Sequence, residues 1–177
     1  MFRTIIEIKP SQNKISYLDH VMTLGSCFAE NIGKKMKEVY FETDINPFGV
    51  LYNPVSIRNS IQLIIENKTF TKEDLFLNNG IWQCFSHSTL FSDLTEEKCL
   101  RNINSRLSKA SQVFKNADYL LITFGTAWVF EEKESGKVVS NCHKLPANYF
   151  MRRCLSVDEI VSDYLFFQMI CIKSVLL

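Results

Sequence analysis

A glycine turn between an apolar segment and an amphipathic helix is the feature that most restricts the fold of this 177-residue chain. Residues 21–24 (VMTL) have the pattern of a buried strand, and Gly25, Ser26 and Cys27 follow directly. Beyond them, apolar residues recur every four positions on one helical face: Phe28, Ile32, Met36 and Tyr40. The pattern therefore predicts a strand, a sharp turn and a helix, with a serine and a cysteine at the helix N-terminus.

The rest of the chain repeats this alternation of strands and helices. Residues 119–124 form a continuous apolar run that ends at Gly125, which is typical of a central strand in a parallel sheet. Amphipathic patterns predict helices over residues 26–40, 53–67 and 95–116, and a capping-box pattern at Ser156 predicts a last one. Because no linker or internal repeat interrupts the sequence, we expect one α/β domain over residues 1–177 with a mostly parallel sheet.

Two loops of this sheet are expected to form one cleft. In parallel sheets, ligands bind beyond the carboxyl ends of the strands, which brings residues 25–27 and 125–128 together. The N–H groups and the dipole at a helix N-terminus favour a thiolate or an oxyanion, so Cys27 and Ser26 are both candidate nucleophiles. The alternative is that Ser26 is only an N-cap and Cys27 a small buried filler.

The charge balance limits the possible partners. Lys and Arg total 20 against 19 acidic residues, for a formal net charge of +1. This balance gives no electrostatic reason to expect nucleic acid or an anionic membrane as a partner. Residues 160–177 form an apolar tail, but Asp163, Gln168 and Lys173 interrupt it, so a membrane span is not expected.

The cysteines and the N-terminus suggest a reducing compartment. The six cysteines include no CxxC pair, which argues against a zinc ribbon or a redox dithiol, and no metal or cofactor is predicted. The first nine residues lack the apolar segment and cleavage site of a secretory signal. We therefore expect a cytoplasmic protein with free thiols.

Five stretches together resemble the GSCFA domain family, a bacterial branch of the SGNH (GDSL-like) hydrolases. They are FRT at residues 2–4, GSCFAENIG at 25–33, NPFGVLYNP at 46–54, FGTAWVF at 124–130 and NCHKLP at 141–146. The resemblance covers roughly residues 1–160 and implies a three-layer α/β/α sandwich. It also implies an esterase, acyl hydrolase or acyltransferase whose substrate is an acylated small molecule or carbohydrate.

The resemblance assigns roles to particular residues. In SGNH hydrolases the first loop reads Gly-Asp-Ser, and aligning glycine on glycine places Cys27 on the nucleophile; a shift of one residue would expose Ser26 instead. The third block of these hydrolases reads Gly-x-Asn-Asp, and its asparagine helps bind the oxyanion. The corresponding residues 125–128 read GTAW here, so Ala127 stands in place of the asparagine. Donors are then expected from backbone N–H groups at the helix start, Gly49 or Gly125. Substrate-binding and oxyanion positions are implied at Gly25, Asn46, Gly49, Gly125, Thr126, Trp128 and Asn141.

Several of these assignments have structural alternatives. NPFG, which includes Asn46, is also a good turn without any catalytic role. His143 is the candidate general base, although a structural histidine is an equal alternative, and His20 and His87 are expected to be structural or surface groups.

The general base is also where the chain departs from the pattern of the family. SGNH hydrolases take their base from an Asp-x-x-His block near the C-terminus, and no such block occurs in this chain. The resemblance therefore implies an N-terminal portion of a longer domain. It leaves a catalytically inactive SGNH-fold domain that binds a ligand or partner as the alternative function.

Overall fold

The computed structural model describes residue 7 and residues 9–171 of the chain. Over these residues it has four α-helices and eight β-strands. The helices are α1 (Cys27–Glu38), α2 (Pro54–Glu66), α3 (Glu96–Asn116) and α4 (Val157–Cys171). The strands are β1 (His20–Gly25), β2 (Glu42–Ile45), β3 (Phe76–Asn78), β4 (Ile81–Gln83), β5 (Tyr119–Thr123), β6 (Trp128–Glu132), β7 (Val138–Val139) and β8 (Phe150–Cys154).

Three strands form a parallel sheet in the order β2-β1-β5. The chain leaves β1 through α1 to reach β2 on one side, and then returns through α2 and α3 to β5 on the other side. In α/β sheets, a reversal of this kind marks the place where ligands commonly bind, here beyond the carboxyl ends of β1 and β5. Two small antiparallel sheets, β3-β4 and β7-β6-β8, complete a mixed α/β fold, and the predicted α/β class is confirmed.

The hydrophobic core lies between the parallel sheet and the helices α2 and α3. Its fully buried members include Met22 and Leu24 of β1, Ile57, Ile61 and Ile64 of α2, and Ile103 and Leu107 of α3. Side chains alternate along a strand, so Val21 and Thr23 face the opposite way. There α1 approaches closely, because a Cβ added to Gly33 would lie 2.8 Å from Ile45 Cγ1 and 3.1 Å from Thr23 Oγ1.

Local sequence signals account for the helix boundaries. Asn53 caps α2, since its Oδ1 accepts a hydrogen bond from Ser56 N at 2.8 Å, and Pro54 occupies the first helical position. Ser156 and Glu159 form the predicted capping box before α4, with Glu159 N donating to Ser156 Oγ at 3.1 Å. Residues 2–4 and the end of the apolar tail, 172–177, lie outside the described residues.

No helix within residues 9–171 has both the length and the apolar character that crossing a membrane requires.

Candidate nucleophile site

The glycine turn after β1 is held in place by the loop that follows β2. Gly25 has a φ of +131°, and its N–H donates to Asn46 Oδ1 at 2.9 Å. The carbonyl of Gly25 accepts from Leu51 N at 2.8 Å, and Asn46 N donates to Thr23 O at 2.9 Å. Asn46 of the NPFG segment and Leu51 after it thus hydrogen-bond to residues on both sides of the turn. This is the scaffold role that the NPFG sequence allowed.

The loop after β5 joins the same assembly. Gly25 and Thr123 are register partners, and Ser26 N lies 3.1 Å from both the carbonyl oxygen and Oγ1 of Thr123. Gly125 N and Thr126 N both donate to Tyr52 O, at 2.8 and 3.1 Å. The structure therefore brings the two predicted loops together and adds Tyr52 as their common anchor.

Ser26 uses its hydroxyl inside the fold. Its Oγ accepts a hydrogen bond from Phe28 N at 3.2 Å, which is the N-cap bond of α1, and lies 2.9 Å from Thr123 Oγ1. The residue is only 7% exposed. The interpretation of Ser26 as an N-cap is confirmed.

Cys27 is the first residue of α1, and its thiol is exposed. The interpretation of Cys27 as a buried filler is therefore wrong. All five cysteines between residues 9 and 170 are free thiols, and burial raises the pKa of Cys84 to about 11 and that of Cys142 above its usual range. Cys154 is the other exposed thiol of these five, but it ends β8, two residues before the cap of α4, and does not belong to a first helical turn.

Most backbone donors around Cys27 are already engaged. Gly49 N donates to Asn46 O at 2.8 Å, and Gly125 N donates to Tyr52 O, so neither N–H of this pair is open to a ligand. Among the hydrogen bonds of the described chain, none uses the N–H of Cys27, which lies in the first helical turn and has no acceptor four residues before it. The buried side-chain nitrogen of Asn46, Nδ2, also has no hydrogen-bond partner within the described chain.

His143 is buried beside Cys84, the residue that follows β4. It is 3% exposed, and its Nε2 is 2.8 Å from Cys84 O, so Nε2 carries the proton and donates it. Its ring meets Phe76 at 5.6 Å, edge to face, and Asn141 Oδ1 accepts a hydrogen bond from its backbone N–H at 2.8 Å. Burial lowers the pKa of His143.

No hydrogen bond within residues 9–171 joins His143 to Ser26 or Cys27. Asn141 and His143 are bonded to each other, and the proton on Nε2 of His143 is engaged by Cys84 O.

Sequence reasoning missed two residues that build the site, Thr123 and Tyr52. The apolar pattern of residues 119–124 predicts a central strand, which is wrong for the described sheet: β5 is at its edge, and Thr123 ends it with a hydroxyl that bonds to Ser26. Tyr52 acts through its backbone carbonyl, which the identity of the side chain does not reveal. Trp128 is 42% exposed, and its backbone N–H donates to Thr126 Oγ1 at 3.1 Å; its role in substrate binding stays a prediction.

The site contains no arrangement suited to a metal ion. Over the described part of the chain, His, Cys, Asp and Glu side chains do not gather in groups of three or more that could hold one.

Replacing Ser26 by alanine should reduce stability without affecting Cys27. The S26A variant loses the N-cap bond to Phe28 N and the contact with Thr123 Oγ1, and we expect the free energy of unfolding to fall by about 1–2 kcal/mol. Urea unfolding measures the loss, and the rate at which iodoacetamide modifies Cys27 should stay within about twofold of the wild-type rate because the thiol remains exposed. A much slower reaction of Cys27 would show that the hydroxyl takes part in activating it.

Comparison with known proteins gives one informative result. No curated protein and no solved structure matches the chain. Residues 20–171 match the GSCFA family, and this range begins at β1 and includes both loops of the site. The chain therefore belongs to the GSCFA family.

Proposed function

We propose that this protein is an SGNH-like acyl hydrolase or acyltransferase that uses Cys27 as its nucleophile on an acylated small molecule or carbohydrate. The observation that carries the proposal is the contrast between two neighbouring residues. The Ser26 hydroxyl is held as a helix cap, whereas the Cys27 thiol is exposed at the first position of α1, beyond the carboxyl end of β1. An exposed thiol at such a position is the arrangement that cysteine nucleophiles use.

The reaction follows from this placement. The Cys27 thiolate attacks the carbonyl carbon of the ester, an S–C bond forms, and the carbonyl electron pair moves to oxygen. The backbone N–H of Cys27 and the positive end of the α1 dipole stabilise that oxyanion. When the tetrahedral species collapses, the C–O bond breaks and the alcohol leaves with a proton from solvent. Water or an acceptor alcohol then attacks the thioester and loses its proton to solvent, the S–C bond breaks, and the Cys27 thiolate is released. Attack by water makes the protein a hydrolase, and attack by an alcohol makes it a transferase.

The proposed SGNH relationship has support in the topology. The strand order β2-β1-β5, with α1 against the face of β1 opposite to the α2 and α3 core, is compatible with the three-layer α/β/α sandwich of that superfamily. Asn46 acts in this proposal as a positioning residue, because its Oδ1 accepts a hydrogen bond from Gly25 N, two residues before the nucleophile. A catalytic role for His143 stays a prediction.

A second candidate function is a ligand-binding domain without chemistry. It is favoured by the position of His143, whose Nε2 is committed to Cys84 O, and by Ala127, which supplies no side-chain donor to an oxyanion. In this case Cys27 is an exposed thiol without a catalytic role.

The two candidates differ in the acylation of Cys27 by an activated ester. With 4-nitrophenyl acetate, we expect one acetyl group per protein on the peptide that contains Cys27, detected by mass spectrometry before the thioester hydrolyses. The burst of 4-nitrophenolate should fall at least 100-fold in Cys27→Ala and stay unchanged in the matched control Cys154→Ser, because both thiols are exposed but only Cys27 starts a helix. Equal acylation of Cys27 and Cys154 would contradict the enzymatic proposal and favour the binding domain.

A further inference from the structure

The antiparallel sheet that follows the β5 loop carries an exposed aromatic and cationic face. In the register of β6 and β8, Phe130 is paired with Arg152, and residues directly opposite share one face of a sheet. Trp128 lies two positions before Phe130 and therefore on the same face, while Val129 between them is fully buried. We call the side chains of Trp128, Phe130 and Arg152 the β6-β8 face.

The guanidinium of Arg152 is positioned by rings and not by acids. Its Cζ lies 3.9 Å from the centroid of the Trp128 ring and 5.9 Å from that of Phe130. Stacking of this kind orients the guanidinium but leaves its N–H donors unused. Among the side chains that the structure describes, none accepts a hydrogen bond from Arg152 or forms an ion pair with it.

Three other arginines of the described chain are neutralised locally. Arg58, Arg106 and Arg153 each contact a carboxylate, at 3.1, 3.0 and 2.7 Å. Arg153, the sequence neighbour of Arg152, faces the other way and binds both Glu131 and Glu159. Strand alternation also puts Glu132 on the same side of β6 as Phe130, but its carboxylate accepts a hydrogen bond from Ser135 Oγ and forms no ion pair with Arg152 among the described contacts.

The β6-β8 face begins next to the nucleophile loop. Trp128 N bonds to Thr126 Oγ1, and the N–H groups of Gly125 and Thr126 are fixed to Tyr52 O. Trp128 is three positions along the chain from Gly125, a distance of at most about 10 Å. Gly125 in turn lies against Ser26, since a Cβ added to it would be 3.5 Å from Ser26 Cβ. The β6-β8 face therefore begins close to the turn that carries Cys27.

We propose that the β6-β8 face binds a sugar that carries a carboxylate. The planar guanidinium offers two parallel N–H donors to a planar carboxylate, and the half-exposed rings of Trp128 and Phe130 offer apolar area to the flat side of the sugar. One unpaired positive charge matches one carboxylate, whereas a phosphate dianion would leave charge uncompensated. The role of this face as a substrate subsite rests on the proposed function, but the binding itself does not.

The test compares methyl β-D-glucuronide with methyl β-D-glucoside, which differ in the carboxylate. Saturation-transfer NMR titrations at low salt should give at least a tenfold lower Kd for the glucuronide with the wild-type protein. In Arg152→Gln this preference should disappear, and in Trp128→Ala both sugars should bind more weakly. Arg101→Gln, a change of another exposed arginine that has no aromatic partner, should keep the full preference.

Three results would overturn the inference: equal Kd values for the two sugars, a preference that survives in Arg152→Gln, or tighter binding of glucose 6-phosphate than of the glucuronide. Raising the salt concentration should weaken glucuronide binding alone, because screening acts on the ion pair. The same titration with Cys27→Ala separates the two proposals. Unchanged binding by this variant, together with no acylation of the wild type, would leave the sugar site standing while the enzymatic proposal fails.

Discussion

Gly25→Ala is expected to lower the free energy of unfolding by about 3 kcal/mol or more, one of the largest effects of a single methyl group in this protein. A Cβ at this position would lie 2.1 Å from the backbone carbonyl oxygen of Thr123, and the φ of +131° is one that residues with a side chain rarely adopt. The carbonyl cannot move aside, because it belongs to β5 and accepts a hydrogen bond from Ser26 N at 3.1 Å. Urea unfolding followed by circular dichroism measures the loss.

The matched control for this change is Gly136→Ala. Gly136 also has a positive φ, +67°, but no atom lies within 4 Å of an added Cβ. It should therefore show only the backbone strain of the left-handed region, about 1–2 kcal/mol. Similar losses in the two variants would mean that the β1-β5 contact relaxes easily and that the nucleophile turn is not rigid.

The turn after β1 shows what the sequence can predict. A strand, a glycine and an amphipathic helix are local signals, so the position of Ser26 at the start of α1 followed from periodicity and capping preferences. The sequence also predicted that the loops after β1 and β5 lie together, because parallel strands place their carboxyl ends at the same edge of a sheet. Those inferences need only the direction of the strands and no side-chain contact.

The surroundings of His143 show where such reasoning ends. Its sequence context gives no sign that Nε2 is bonded to Cys84 O, 59 residues away, or that its ring packs on Phe76. Contacts of this kind depend on how β3 and β4 fold back on the β6-β8 region, which periodicity does not encode. The sequence does not predict the role of Tyr52 for a related reason: its backbone carbonyl accepts the two hydrogen bonds, and a residue of any type supplies a carbonyl.

Acidification is expected to destabilise the protein through His87, by on the order of 4–5 kcal/mol between pH 6.5 and pH 3. His87 is 1% exposed, stacks on Phe48 at 4.4 Å and is enclosed further by Phe70 and Phe91. Burial among these rings, with a smaller contribution from the nearby His143, lowers the pKa of His87 from 6.5 to about 3. Within this window the unfolded chain binds a proton that the folded protein excludes, so stability is complete above pH 6.5 and falls as the pH decreases.

His87→Phe tests this linkage because it keeps an aromatic ring and removes the titrating group. The free energy of unfolding, measured by urea titration at pH 7, 5.5 and 4, should decrease much less in H87F than in the wild type. His20→Gln is the control, since it removes a histidine that is 43% exposed and lies 3.1 Å from Glu42, outside the ring cluster, and its free energy of unfolding should decrease as much as that of the wild type. Carboxylates titrate in all three proteins and cancel in the comparison. Parallel curves for H87F and the wild type would mean that the folded protein admits a proton, or water, to the ring of His87, and that this part of the core is looser than its packing indicates.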